Sequence, residues 1–111
     1  MPLVELIYDA ECPNVPEARE QLVRAFEILD LSPQWKEWSS EDPEIPAHAR
    51  NYGSPTILVA GQDVSGVGKL DGTAGCRVYA SSEGLRGVPT VEAIVSVLRR
   101  RTKPGGGEGM L

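Results

Sequence analysis

One stretch near the start of the chain constrains the fold more than any other: Val4-Glu5-Leu6-Ile7-Tyr8-Asp9-Ala10-Glu11-Cys12-Pro13-Asn14-Val15. Its apolar run reads as a buried strand, followed by a tight turn and a cysteine at the mouth of a helix. Asn14 suits an N-cap, and Pro16 suits the first helical turn, where a missing N–H costs nothing. Ala18, Leu22, Ala25, Phe26 and Leu29 then recur at helical spacing, giving one apolar face over about 16–29. A thiol at that junction meets backbone amides and the positive end of the helix dipole, and both favour thiolate. Asp9 and Glu11 oppose that effect with like charge. Cys12 is therefore the first candidate for covalent chemistry.

The remaining elements follow from pattern and punctuation. Gln34-Trp35-Lys36-Glu37-Trp38 alternates polar and aromatic residues, predicting a second strand with both tryptophans on one side. The acidic stretch 39–45, with Pro43, reads as a loop, and 46–52 as a short helix stopped by Gly53. Ile57-Leu58-Val59-Ala60 predicts a third strand that ends at Gly61-Gln62-Asp63. The glycine-rich residues 64–75 read as a loop, Cys76-Arg77-Val78-Tyr79 as a fourth strand, and 81–87 as a second loop. A last helix begins at Pro89, with Val91, Ile94, Val95 and Leu98 inward. Arg99-Arg100-Arg101 complements the dipole at its C-terminal end. Residues 104–111, Pro-Gly-Gly-Gly-Glu-Gly-Met-Leu, read as a disordered tail beyond a domain over 1–103. The order β-α-β-α-β-β-α implies a parallel first pair with a right-handed crossover, then an antiparallel hairpin. Its simplest closure is an α/β fold with a four-stranded mixed sheet flanked by helices on both faces.

Charge and cysteine content narrow the function classes. With 111 residues and a net charge of −5, the chain is not expected to bind nucleic acid or anionic membranes, which call for an excess of clustered Lys and Arg, and Arg99-Arg100-Arg101 is accounted for by its helix end. No apolar run approaches the roughly 20 residues of a membrane span, and no signal segment opens the chain. Two cysteines are too few for a disulfide scaffold. The expectation is a cytoplasmic protein with thiols reduced.

At this point the chain resembles the thioredoxin-like superfamily over roughly 3–101. Three features carry the resemblance: Cys12-Pro13-Asn14-Val15 at the strand-to-helix junction, Ser54-Pro55-Thr56 just before the third strand, and the element order. The resemblance implies a cis bond before Pro55. It also implies that Ser54 lies against the reactive cysteine and pairs by its backbone with an extended substrate. Pro13, Asn14, Ser54, Pro55 and Thr56 become the expected substrate-binding residues, and Cys12 the catalytic one. The chain departs from the dithiol pattern at Val15, where the second cysteine would stand. It is thus similar to the monothiol members and to small bacterial thioredoxin-fold proteins with a single-cysteine turn. Without a neighbouring thiolate, an external thiol must resolve any mixed disulfide. The implied activity is monothiol thiol–disulfide exchange on protein or small-molecule thiols, with a glutathione-like thiol as co-substrate and no other cofactor.

Other residues compete with Cys12 for a chemical role. The implied topology puts Cys76 at the far end of the sheet, beyond the ~7 Å Cα separation a disulfide needs. His48 stands a few residues before Ser54, within sequence reach of the Cys12 turn as a base or second ligand. A zinc site lacks ligands near Cys12. Gly66-Val67-Gly68-Lys69 fails the phosphate-loop spacing, since Asp63 and Leu70 stand where glycine and Ser or Thr belong. Two alternatives remain beside exchange: a non-catalytic binding module that pairs a partner peptide beside Pro55, and a protein that binds soft metals such as Hg or Cu through its thiol.

Overall fold

Val4, Leu6 and Tyr8 alternate with Glu5 and Ile7 along β1 (Val4–Tyr8), and all but Tyr8 are buried, so the strand lies at the centre with both faces covered. The computed structural model describes residues 3–66, 79–81 and 84–101. β1 pairs in parallel with β2 (Lys36–Ser39), with Glu5 opposite Lys36 and Tyr8 opposite Ser39. On its other side it pairs antiparallel with β3 (Thr56–Val59), with Val4 opposite Val59 and Ile7 opposite Thr56. β4 (Gln62–Asp63) pairs antiparallel with β3, completing a four-stranded mixed sheet in the order β2-β1-β3-β4.

The third strand does not simply end at Gly61-Gln62-Asp63. The chain reverses there in two residues and returns as β4. Ala60 (φ 53°) and Gly61 (φ 81°) both lie in the left-handed region, the requirement of a type I′ hairpin turn. Alanine is a rare occupant of that region, so no Asn-Gly or Asp-Gly pair advertised the turn. Residues 67–78, with Cys76 and most of the expected fourth strand and glycine-rich loop, lie outside the described residues, as does the tail at 104–111. The expected loop at 81–87 contains a strand instead. β5 (Tyr79–Ser81) and β6 (Gly84–Arg86) form a separate two-stranded sheet with Tyr79 opposite Arg86.

α1 (Val15–Ile28) buries Val15, Ala18, Leu22, Ala25 and Phe26. α2 (Val91–Arg101) buries Ile94, Val95, Val97 and Leu98. Both helices cover the face of the sheet that carries Val4, Leu6, Ile57 and Val59. Each fully buried aliphatic side chain there contributes about 1.5–3 kcal/mol. The opposite face, with Ile7 and Leu58, carries no α-helix among the described residues. Ile45, Ala49 and Tyr52 cover it, from a segment whose only helical piece is a 3₁₀ turn, Ala47–Ala49. Helices on both faces were expected, but the few residues between Pro46 and Gly53 are too short a run to sustain an α-helix.

Local details explain the helix ends. Asp30 (φ 58°) takes the left-handed position after α1. Its N–H bonds the Glu27 carbonyl at 3.1 Å, and Leu31 N–H bonds the Phe26 carbonyl at 2.9 Å, which closes a Schellman motif without glycine. Thr90 caps α2, its Oγ1 accepting the Ala93 N–H at 3.0 Å. Asn14 occupies the N-cap position of α1 but makes no capping hydrogen bond through its side chain. Its amide instead lies against Gly87, where a Cβ would collide with it. The tryptophans point to opposite faces, because positions three apart in a strand do not share a side. Trp35 stacks on Phe26 with centroids 6.2 Å apart, while Trp38 packs on the other face.

Candidate functional site

Cys12 stands where β1 gives way to α1. The Asp9 carbonyl accepts the Cys12 N–H at 2.9 Å, and Asp9 Oδ1 accepts the Glu11 N–H at 2.9 Å. Together these bonds fix Asp9-Ala10-Glu11-Cys12 as an Asx-supported turn. Register brings the start of β3 to the same end of the sheet, because Ile7 pairs with Thr56. The Ser54–Pro55 peptide bond, just before that strand, is cis. Ser54 then meets the cysteine turn twice: its Oγ accepts the Asp9 N–H at 2.9 Å, and its carbonyl accepts the Cys12 S–H at 3.7 Å. Thr56 Oγ1 donates to the Gly53 carbonyl at 2.7 Å, bracing the segment from behind.

These contacts place the expected site residues. Cys12, Ser54 and Pro55 converge, and Thr56 supports them from a fully buried position. Pro13 and Asn14 lead into α1, with Asn14 turned towards Gly87. Cys12 is itself 7% exposed, so it is buried within the turn rather than displayed on the surface.

His48 does not join this group. Its Nε2 lies 3.0 and 2.9 Å from the two carboxylate oxygens of Glu5, on the face away from α1 and α2. Glu5 is fully buried and also accepts the Trp38 Nε1–H at 2.9 Å. A buried carboxylate persists only with such partners. The glutamate in the middle of Val4-Glu5-Leu6-Ile7-Tyr8 was a signal for them in the sequence. Among the described residues no group of three or more His, Cys, Asp or Glu side chains converges to hold a metal ion, and no helix is long and apolar enough to cross a membrane.

Sequence reasoning missed three further residues at or beside the site. Arg19, one turn into α1, forks onto Glu37 with Nε and Nη2 each 2.9 Å from an oxygen, and Trp35 Nε1–H donates to the same carboxylate at 2.9 Å. The hydrogen-bonded guanidinium of Arg19 is the main reason the Glu37 carboxyl is held below its ordinary range. The Trp35 bond adds to that effect, and partial burial opposes it. Arg19 also lies 5.8 Å from the centre of the Tyr8 ring. The third is Tyr79 of β5, a buried residue whose hydroxyl donates to the Pro55 carbonyl. No residue spacing in the sequence links Tyr79 to Pro55.

The site can therefore hold a thiol beside a carbonyl and a cis peptide, shielded from bulk water. Compared with known proteins, the chain matches no family model, no curated protein and no solved structure.

Proposed function

We propose that the chain is a thioredoxin-like protein whose Cys12 performs monothiol thiol–disulfide exchange. The single observation that carries this reading is the meeting of Cys12 with Ser54 and Pro55, 3.7 Å from sulfur to the Ser54 carbonyl. Further support comes from the strand order β2-β1-β3-β4, with β2 parallel to β1 and β3 antiparallel to it.

Exchange begins when Cys12 loses its proton to solvent and the thiolate attacks one sulfur of a substrate disulfide. A Cys12–substrate S–S bond forms, the substrate S–S bond breaks, and the departing thiolate takes up a proton. An external glutathione-like thiol, deprotonated in turn, attacks the substrate sulfur of the mixed disulfide; a new S–S bond forms between those two sulfurs, the Cys12–substrate bond breaks, and Cys12 leaves as the thiolate. Pro13 and Pro16 have no N–H, and the Cys12 amide is engaged by Asp9. The amides of Asn14, Val15 and Glu17 are therefore the donors left at the helix start for sulfur charge.

The test is incubation of the Cys76→Ser protein with oxidised glutathione, then mass spectrometry, then reduced glutathione. One adduct on Cys12 that the second thiol removes, and that Cys12→Ser abolishes, is expected. An unmodified Cys12 in the folded protein, with adduct formed only in urea, overturns the reading. The burial of Cys12 favours one second reading, a non-catalytic module that binds a partner peptide beside Pro55. In that case Cys12→Ser leaves partner binding intact.

A further inference from the structure

The β5–β6 hairpin lies outside the main sheet, yet three contacts tie it to the segments beside Cys12. Tyr79 of β5 donates its hydroxyl to the Pro55 carbonyl, next in the chain to the Ser54 carbonyl that accepts the Cys12 S–H. Arg86 of β6 pairs with Glu17 in the first turn of α1, Nη2 to Oε2 2.6 Å. Gly87, directly after β6, lies so close to the Asn14 amide that no other residue fits without moving it. One short element thus touches both segments that bring the thiol and the proline together.

We propose that this hairpin controls access to Cys12, with Tyr79 as the positioning residue of the site. The proposal rests on the reading of Cys12 as a reactive thiol and adds the regulation of that thiol. With the hairpin seated, Ser54 and Pro55 are held on the cysteine turn and Cys12 stays only 7% exposed. A substrate must loosen the Tyr79–Pro55 and Arg86–Glu17 contacts to reach it. The hairpin offers a handle for that: Gly84, Leu85 and Arg86 are all exposed, and Leu85 is 75% exposed, so an incoming extended chain can engage β6 while the thiol is uncovered.

The experiment is iodoacetamide alkylation of Cys12 in the full chain carrying Cys76→Ser, followed across pH. Local opening governs such rates, and losing one hydrogen bond at the opening contact raises them about five-fold. Tyr79→Phe is expected to lift the high-pH plateau by about that factor, with the midpoint of the profile unmoved. Arg86→Gln is expected to lift it about two-fold, the contact being a solvent-exposed pair, and Arg86→Lys restores the parent rate. An unchanged plateau in Tyr79→Phe overturns the proposal. If Tyr79→Phe does not fold, Arg86→Gln with its lysine rescue decides in its place, and equal rates in all three Arg86 forms overturn it. Alkylation needs no disulfide substrate, so the hairpin can fail while exchange stands, and exchange can fail while the hairpin stands.

Discussion

Glu5 and His48 lie 43 residues apart and meet at 2.9 Å, tying the central strand to the chain that leads into Ser54. The carboxylate is fully buried, whereas the imidazole is 30% exposed. Among the described residues, removing the imidazole leaves the Glu5 side chain with the Trp38 Nε1–H. His48→Ala is expected to cost about 1–3 kcal/mol, the penalty of leaving a buried polar group short of a hydrogen-bond partner. Adding Glu5→Leu to that variant recovers most of the loss, because no polar group short of partners is then left buried. Urea unfolding of the two single variants and the double variant checks this, and a double variant no more stable than His48→Ala counts against it.

The Arg19–Glu37 fork makes stability depend on pH in one direction. Glu37 has its folded pKa depressed, chiefly by the hydrogen-bonded guanidinium. Its contribution is therefore present above the unfolded value, about 4.3, and is lost as pH falls through the folded value. Glu37→Gln should destabilise the protein at pH 7 by less than about 1 kcal/mol, since both partners are partly solvated. The gap between variant and parent closes in strongly acidic solution. Denaturant midpoints at pH 7 and pH 3 test it; an equal gap at both refutes the assignment.

The two helix starts should respond differently to the same change. Thr90→Ala removes a capping bond to Ala93 and is expected to cost about 1 kcal/mol. Asn14 holds no such bond, so Asn14→Ala should cost a few tenths of that through lost packing on Gly87. Thermal unfolding of the pair ranks them, and an Asn14 loss as large as the Thr90 loss would contradict the geometry.

Position 60 offers a gain. Ala60 sits at φ 53° in the turn between β3 and β4, a conformation that glycine adopts without its Cβ penalty. Ala60→Gly is expected to stabilise by about 0.5–1 kcal/mol, the strain relieved outweighing the added freedom of the unfolded chain. A lowered urea midpoint would refute it.

Much of this architecture was legible in the sequence because it rests on local pattern. The run Val4–Tyr8, the helical spacing from Ala18 to Phe26 and the apolar Ile57-Leu58-Val59 emerge as read, while α2 buries Ile94, Val95 and Leu98 as expected but adds Val97 and leaves Val91 only partly buried. What escaped depends on relations that no short window contains. Ala60 concealed a turn that glycine or asparagine would have announced. His48 found its partner in a distant strand rather than at the Cys12 turn, because the fully buried Glu5 side chain needs hydrogen-bond partners. Tyr79 reaches Pro55 across 24 positions. That Cys12 and Ser54 meet beside Pro55 was legible in advance, but not the hairpin whose Tyr79 reaches Pro55.

The central place of β1 also shapes the order in which a growing chain becomes self-sufficient. Its parallel neighbour is complete at Ser39, but its antiparallel neighbour only at Val59. A ribosome that has released the first forty residues holds a strand with one side zipped and the other open, rich in the β-branched and aromatic residues that recruit neighbours. Safety in biosynthesis thus hinges on how soon Thr56–Val59 arrives, and substitutions that weaken β3 should lower soluble yield more than they lower the stability of molecules that have already folded.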